Sequence, residues 1–460
     1  MTSTSGSALP IEAPLLVGFG VTGRAVARAL VNRGLTPVVV DDRPTPESET
    51  EAGQMDLELV AAPSEPQLDK LVSSASALLP SPGLPDHHPA FGLARVHGVP
   101  VLSEFDLARV WDERPILAIT GTNGKTTVTM MVTEMLNRSG VRAEAVGNTD
   151  VPLVAAIDDP SIETFVVEAS SFRLGHSRRF SPRVAAWLNF APDHLDAHHS
   201  LDAYERAKAS IWHHLTDGSL AVANADDPVV MTHARILKGG PARLERFSLT
   251  DQVEWRVERP IGGDLASAVL HGPDGPLPAV AELRRSQPHD VANALAAAAI
   301  ARGGGASVDA IAQTLVSFAG LPHRLEPVGT AEGVTWYNDS KATVPHATVV
   351  AVAGFDSVVL IAGGKNKGLA MDSLASTVPP VRAVVATGAA ADEIAAVFDS
   401  LVPVERADSM EEAIDLARKF ARPGDVVVLS PACTSFDWYA NYGERGRDFT
   451  RLVHERVLNT

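Results

Sequence analysis

Short runs of β-branched and other apolar residues, bounded by Gly, Asp or Ser, recur at 15–17, 37–40, 116–119, 165–167, 184–188, 220–223, 358–361, 383–386 and 426–429. Stretches with helical periodicity follow most of them. Strands that read as continuous apolar runs are buried on both faces, and strands alternating with helices pair in parallel through crossovers. The expected fold class is therefore α/β with mostly parallel sheets. Between 245 and 288 the pattern changes. Val253, Trp255 and Val257 alternate, and His271-Gly272-Pro273-Asp274-Gly275-Pro276 is a turn sequence, which predicts an antiparallel excursion. At roughly 150 residues per domain, 460 residues give about three domains. Breaks near 111–115 and 320–322 divide the chain into 1–110, 111–321 and 322–460.

Asp and Glu number 56 against 39 Lys and Arg, a formal charge of −17 spread evenly along the chain. Nucleic-acid binding draws on a Lys and Arg surplus, so that class is excluded. Anionic ligands must be held by local devices. The single cysteine, Cys433, cannot form an internal disulfide, which fits a reducing cytoplasm, and a buried small hydrophobe is its expected role. The first nine residues lack a basic region followed by an apolar one and read as a frayed end. No stretch reaches the ~20 apolar residues that cross a bilayer, so no membrane insertion is expected.

Gly18-Phe19-Gly20-Val21-Thr22-Gly23 follows a strand and opens a helical pattern, and Asp41 and Asp42 end the next strand. Glycines let a diphosphate approach the helix N-terminus, and a carboxylate about 20 residues on suits a ribose. A nucleotide-diphosphate site is expected, with the nucleotide left open. Gly121-Thr122-Asn123-Gly124-Lys125-Thr126-Thr127 is a second loop between strand and helix. Its backbone can cradle phosphates, Lys125 can neutralise β/γ charge, and a following hydroxyl can hold Mg²⁺. It departs from the usual phosphate-loop spacing, since Ile119 stands where the first glycine would fall.

Val166-Val167-Glu168-Ala169-Ser170-Ser171 is an apolar strand ending in a carboxylate and hydroxyls, and Asp193-His194 with Asp196 and His198 follows. Glu168 and His194 suit Mg²⁺, whose remaining ligands would be phosphate and water; the alternative, zinc, ordinarily recruits Cys or several His. His198 and His199 read as surface polar residues. A helical lysine is ordinarily solvent-facing, and so Lys208 reads. In the last third, Arg324, Lys341 and Lys367 fall at or beyond strand-like runs, where open α/β sheets place ligand groups. An NAD-dependent oxidoreductase would leave the second phosphate loop without a role. An ATP-gated scaffold would leave the polar clusters of the last third without one.

The order GTNGKTT, VEASSF, NFAPDHLDAH, a helical Lys208, GLPHRLE, NDSKAT and SPACTSFDWYANYGERG resembles the Mur ligases, most closely the D-glutamate-adding branch, from Gly18 to about Arg447. The resemblance implies a Rossmann-like N-terminal domain for a UDP substrate, a phosphate-loop ATPase-like central domain, and a Rossmann-like C-terminal domain for the amino acid. It implies an ATP-dependent ligase joining D-glutamate to UDP-N-acetylmuramoyl-L-alanine through an acyl phosphate, working in the cytoplasm as a monomer. Gly20, Val21, Thr22, Asp41, Asp42, Ser81 and Asn148 would hold the UDP substrate. Gly121 to Thr127, Asn293, Arg324, Asp339 and Lys341 would hold ATP. Thr126, Glu168, His194 and an N-carbamylated Lys208 would hold two Mg²⁺. Lys341, Thr343, Lys367, Ser435, Phe436 and Tyr442 would surround D-glutamate. Lys125, Lys208, His194 and Arg324 are the catalytic set. Asp290 replaces a commoner Asn, Lys365 replaces an often acidic residue, and the Asp-Asn-Pro-Arg motif of the diaminopimelate- and lysine-adding relative is absent.

Overall fold

The computed structural model describes residues 11–149, 151–193 and 198–458. Every run expected from the sequence is a strand, and the strands form three sheets. The first holds β1 (Pro14–Val17), β2 (Val38–Asp41), β3 (Leu59–Ala61) and β4 (Ala77–Pro80), in the order β3-β2-β1-β4 and all parallel.

The second sheet holds β5 (Ile116–Thr120), β6 (Ala143–Gly147), β7 (Thr164–Glu168), β8 (Val184–Trp187), β9 (Leu220–Asn224), β10 (Arg243–Ser248), β11 (Trp255–Glu258), β12 (Val269–Gly272) and β13 (Gly275–Ala279). Its order is β13-β12-β11-β10-β9-β8-β5-β7-β6. Alternate residues serve two cores: Leu117, Ile119, Val166 and Val184 face one side, and Ile116, Ala118, Val167 and Trp187 the other. The helix Pro288–Gly304 supplies Ala294 and Ala296 to Ala299 to the first core, where small side chains let a helix lie close on a sheet. No helix among the described residues is long and apolar enough to cross a membrane.

The antiparallel excursion is shorter than the sequence suggests. β11 runs parallel to β10, and only β12 and β13 reverse, joined through Pro273-Asp274. Asp226 and Ser248 hold the intervening turn by accepting the N–H groups of Leu249, Thr250 and Asp251, so the chain loops back and re-enters in its original direction.

The third sheet holds β14 (Glu326–Ala331), β15 (Val334–Asn338), β16 (Val358–Gly363), β17 (Val381–Thr387), β18 (Val404–Ala407) and β19 (Val426–Ala432), in the order β14-β15-β19-β16-β17-β18. Only the β14–β15 hairpin is antiparallel. The chain divides into two compact units: residues 1–190, 197–286 and 290–318, which carry the first two sheets, and 191–196, 287–289 and 319–460, which carry the third.

Within the first unit a buried ion pair joins the helix Glu104–Trp111 to the helix Ser171–Leu174. Arg173 donates to Glu104 at 2.6 Å, the two side chains being 5% and 2% exposed. A buried charge left without its partner is far costlier than a matched pair or an apolar replacement. Glu104→Ala is therefore expected to lower the unfolding free energy by about 3–5 kcal/mol in urea melts. Glu104→Ala combined with Arg173→Met should recover part of that loss, and a double variant less stable than the single one would contradict the assignment.

Candidate functional site

The first loop leaves β1 at its carboxyl end. Gly18 has φ +91°, and a Cβ there would sit 2.7 Å from the Ser81 Cβ, so only glycine fits between the two strand ends. Asp41 spans this turn. Its carboxylate accepts the N–H of Phe19 at 2.7 Å and of Arg43 at 2.8 Å, so both oxygens shape the loop. Gly20 caps the helix Val21–Val31, and Val21 is 61% exposed beside it. Asp42 lies 3.1 Å from the His88 ring nitrogen, and the Ser81 N–H donates to the Val17 carbonyl at 2.8 Å.

Arg173, which the sequence reading missed, ties this loop to the central sheet. It donates to the Thr22 hydroxyl and to Asn148 Oδ1, both at 2.9 Å, in addition to Glu104. Asn148 in turn donates to Glu168 Oε1 at 3.0 Å. A continuous chain of polar contacts thus runs from Thr22 through Arg173 and Asn148 to Glu168. Burial pushes the Glu104 carboxyl above the usual carboxylate range, with the Arg173 charge opposing the rise.

The second loop lies between β5 and the helix Lys125–Arg138. Gly124, at φ +83°, caps that helix, and a Cβ there would collide with the Asn293 carboxamide, which places Asn293 against the loop. Asn189, just past β8, holds the loop from the other side. Its Oδ1 accepts the N–H groups of Thr122 and Asn123 at 3.0 and 2.8 Å, and its Nδ2 donates to the Asn123 carbonyl at 3.1 Å. Lys125 folds back so that Nζ donates to the carbonyls of Gly121 and Thr122 at 2.8 and 2.9 Å. Thr126 is half-buried and Thr127 buried in the first turn of the helix.

Lys208 is not at the surface. It is 1% exposed, donates to the Gly121 carbonyl at 2.8 Å, and lies 4.4 Å above the Tyr204 ring, one helical turn away. The Tyr204 hydroxyl lies 3.3 Å from that of Thr122. His198, expected at the surface, is 5% exposed, with one ring nitrogen 2.9 Å from the Ser171 hydroxyl and the other 3.0 Å from Asp86. These bonds and the Phe172 ring stacked on it at 5.2 Å draw the imidazole inward. His199 is exposed as expected.

Glu168 ends β7 and is 3% exposed, and its Oε2 is a buried oxygen with no hydrogen-bond partner among the described residues. A buried carboxylate oxygen left open beside a phosphate loop is the donor a hard cation takes, so the residues present fit Mg²⁺. His194 lies outside the described residues. Among the described residues no group of three His, Cys, Asp or Glu converges as a metal cage.

In the second unit the predicted residues collect where β15, β16 and β19 end. Asp339 accepts the Leu325 N–H at 3.1 Å and the Ser430 hydroxyl at 2.8 Å. The Lys341 N–H donates to the His323 carbonyl, its ammonium lies 5.0 Å from the Tyr442 ring centre, and the Thr343 N–H donates to the Lys341 carbonyl. Ser435 is buried, Arg324, Thr343 and Lys367 are half-buried, and Phe436 is 66% exposed, with no bond among the described residues tying Lys367 or Phe436 into this group. Lys365 is exposed and pairs with Thr434 only through its backbone. In the first unit, Asp290 is engaged by Arg285 at 3.0 Å.

Arg445 is the centre the sequence reading missed. It is 3% exposed and donates to the Ser340 hydroxyl and carbonyl, and to the carbonyls of Cys433 and Thr434, at 2.8–3.2 Å. Burial lowers its guanidinium to about 10. The same burial pushes the Cys433 thiol up to about 12, which supports its reading as a packed apolar residue. The signal for Arg445 was its position: it stands four and seven residues before Phe449 and Leu452, on the buried face of the helix Tyr442–Val453.

Three family models match the chain: "Mur ligase MurD-like, N-terminal domain" at 12–103, "Mur ligase middle domain" at 119–301, and "Mur ligase, glutamate ligase domain" at 323–433. The UDP-N-acetylmuramoylalanine--D-glutamate ligase of Frankia casuarinae is 42% identical over 99% of this chain and 96% of its own. The similarly named protein of Symbiobacterium thermophilum is 35% identical over 96% and 98%. Among solved structures, the pseudomurein peptide ligase type C of Methanothermus fervidus aligns with a TM-score of 0.60 at 17% identity, over 96% of this chain and 99% of that one. The UDP-N-acetylmuramate-alanine ligase MurC of Thermotoga maritima gives 0.55 at 18%, over 96% and 99%.

Asn189 takes three backbone bonds of the second loop onto one side chain, and losing buried bonds of this kind costs about 1–3 kcal/mol each. Asn189→Ala is expected to weaken ADP binding by roughly tenfold or more in calorimetric titration. Unchanged affinity would show that the loop is held without it.

Proposed function

The chain belongs to the Mur ligase family, and we propose that it is the ATP-dependent ligase that joins D-glutamate to UDP-N-acetylmuramoyl-L-alanine, a step in peptidoglycan precursor synthesis. The observation that carries this reading is 42% identity to the Frankia D-glutamate ligase across 99% of the chain. The intact loop 121–127 and the open oxygen of Glu168 beside it support the same reading.

Amide formation needs an activated acyl group. The L-alanyl carboxylate attacks the γ-phosphorus of ATP, the bond to the β-phosphate oxygen breaks, and an acyl phosphate and ADP result. The D-glutamate amine, having given up a proton, attacks the acyl carbon, and inorganic phosphate leaves the tetrahedral intermediate. Lys125 and the N–H groups of residues 121–127 would hold the phosphates, with Asn293 against the loop and Arg324, Asp339 and Lys341 assigned to the same nucleotide. Their work is positioning and charge stabilisation.

Thr126, Glu168 and His194 would hold Mg²⁺, and an N-carbamylated Lys208 would hold a second ion; these ions supply countercharge to the phosphoryl oxygens. Carbamylation adds CO₂ to the neutral Lys208 amine with release of a proton, replacing a cation by an anion. Burial of Lys208 and its bond to the Gly121 carbonyl support that assignment. Gly20, Val21, Thr22, Asp41, Asp42, Ser81 and Asn148 are assigned to the UDP substrate, with Asp41 acting through the loop it shapes. Lys341, Thr343, Lys367, Ser435, Phe436 and Tyr442 are assigned to D-glutamate. A cytoplasmic monomer completes the proposal.

Phosphate release from ATP should require UDP-N-acetylmuramoyl-L-alanine and D-glutamate together, and release indifferent to both would sink the reading. Lys125→Ala should reduce turnover by roughly a hundredfold or more, as expected where one preorganised charge is lost. Lys208→Ala should be inactive and partly restored by short carboxylic acids, whereas undiminished activity would exclude an essential role.

A further inference from the structure

The first unit holds a second recess, a cavity of about 520 Å³ to which the phosphate loop, Glu168, Asn148 and Ser81 contribute nothing. Three guanidinium-bearing residues line it: Arg95 on the helix Pro89–His97, Arg178 just past the helix Ser171–Leu174, and Arg206 on the helix Leu201–Ala209. None of the three has a side-chain partner among the described residues. In a chain of net charge −17, unpaired guanidinium groups gathered around one cavity are an arrangement that an anion stabilises.

Among the described residues one lining carboxylate opposes them, Asp86, and it is already engaged by His198 at 3.0 Å, with His176 3.8 Å away. The ionised side chains of the cavity therefore leave a surplus of positive charge. Its walls also carry planar surfaces. His176 stacks on Phe91 at 4.6 Å and His198 on Phe172 at 5.2 Å, and the Ser171 hydroxyl offers a further polar contact. Positive charge together with flat, partly apolar walls suits a phosphate ester of a small organic molecule better than a bare inorganic ion.

We infer that this cavity is a binding site for a small phosphorylated organic anion, and that its occupancy is transmitted to the phosphate loop. The transmitting element is the helix Leu201–Ala209 with the residue that follows it. Ala203, Arg206, Ala207 and Ser210, spaced at i, i+3, i+4 and i+7, line the cavity. Tyr204 and Lys208, one turn apart on another face, reach Thr122 and Gly121. A ligand drawn to Arg206 acts on the same short helix that sets Lys208.

The test is calorimetric titration of the full-length protein, saturated with Mg·ADP, with ribose 5-phosphate as probe. One site is expected, weakened roughly tenfold or more in Arg95→Ala/Arg206→Ala, two exposed positions whose replacement leaves the fold intact. Arg235→Ala, an exposed arginine elsewhere, should bind as the wild type does, and ribose without its phosphate should not bind. Absence of heat at millimolar probe, equal binding by the double variant, or equal binding of ribose would each overturn the site. Ligase turnover should change with the same midpoint as the titration in the wild type and in Arg235→Ala, and should not respond at those concentrations in Arg95→Ala/Arg206→Ala. Binding without any change in turnover would overturn the coupling through the helix. The binding arm makes no use of the ligation reaction, so it stands or falls separately from the proposed function.

Discussion

Strands β5, β7 and β8 are covered on both faces, with Leu117 and Ile119 packed to one side and Ile116 and Ala118 to the other, so polar groups emerge only where the strands end. That constraint places the working parts of the first unit. The loop 18–23 follows β1, the loop 121–127 follows β5, Glu168 closes β7, and Asn189 lies just beyond β8. Adjacent parallel strands deliver these groups side by side without any long excursion of the chain. The third sheet repeats the rule, with Asn338, Gly363 and Ala432 at the ends of β15, β16 and β19.

Strand ends crowded with carbonyls need donors, and this chain supplies them with buried cations. Arg445 donates to four backbone carbonyls, those of Ser340, Gly363, Cys433 and Thr434, and Lys125 and Lys208 also donate to carbonyls. Arg173 serves side-chain acceptors, Thr22, Asn148 and Glu104, and only the last is a charge partner. Burying such groups is costly unless their hydrogen bonds are met. Met this way, Arg173 and Arg445 cross-link segments that follow different strands, and Lys208 ties its helix to the loop after β5.

The strands were legible because nearly every apolar run is buried on both faces, and the two glycine loops because their neighbours in the chain carry the signal. Lys208 was not, since a helix offers several faces and nothing local tells which one faces Gly121; the Tyr204 ring one turn away was the available clue. His198 looked like a surface residue because its partners, Ser171 and Asp86, are distant in sequence. The sequence marks Asp41 as a carboxylate for a ligand, whereas its oxygens accept the N–H groups of Phe19 and Arg43, a role that appears only when both strand ends are in place. Similarly, β11 alternates like a hairpin strand, and its parallel direction is decided by the turn that Asp226 and Ser248 hold.

The Gly121 carbonyl accepts from both Lys125 and Lys208 at 2.8 Å, so the two nitrogens lie within 5.6 Å of each other. As two ammonium groups at an effective dielectric near 20 they would repel by about 3 kcal/mol. Exchanging one of them for a carbamate turns that repulsion into an attraction of similar size. The lysine of the phosphate loop would thus favour modification of its neighbour, and the modified neighbour would steady the loop lysine before any nucleotide arrives. In such a pair the dissolved CO₂ level becomes a thermodynamic variable of nucleotide binding, linked to it through a single backbone oxygen.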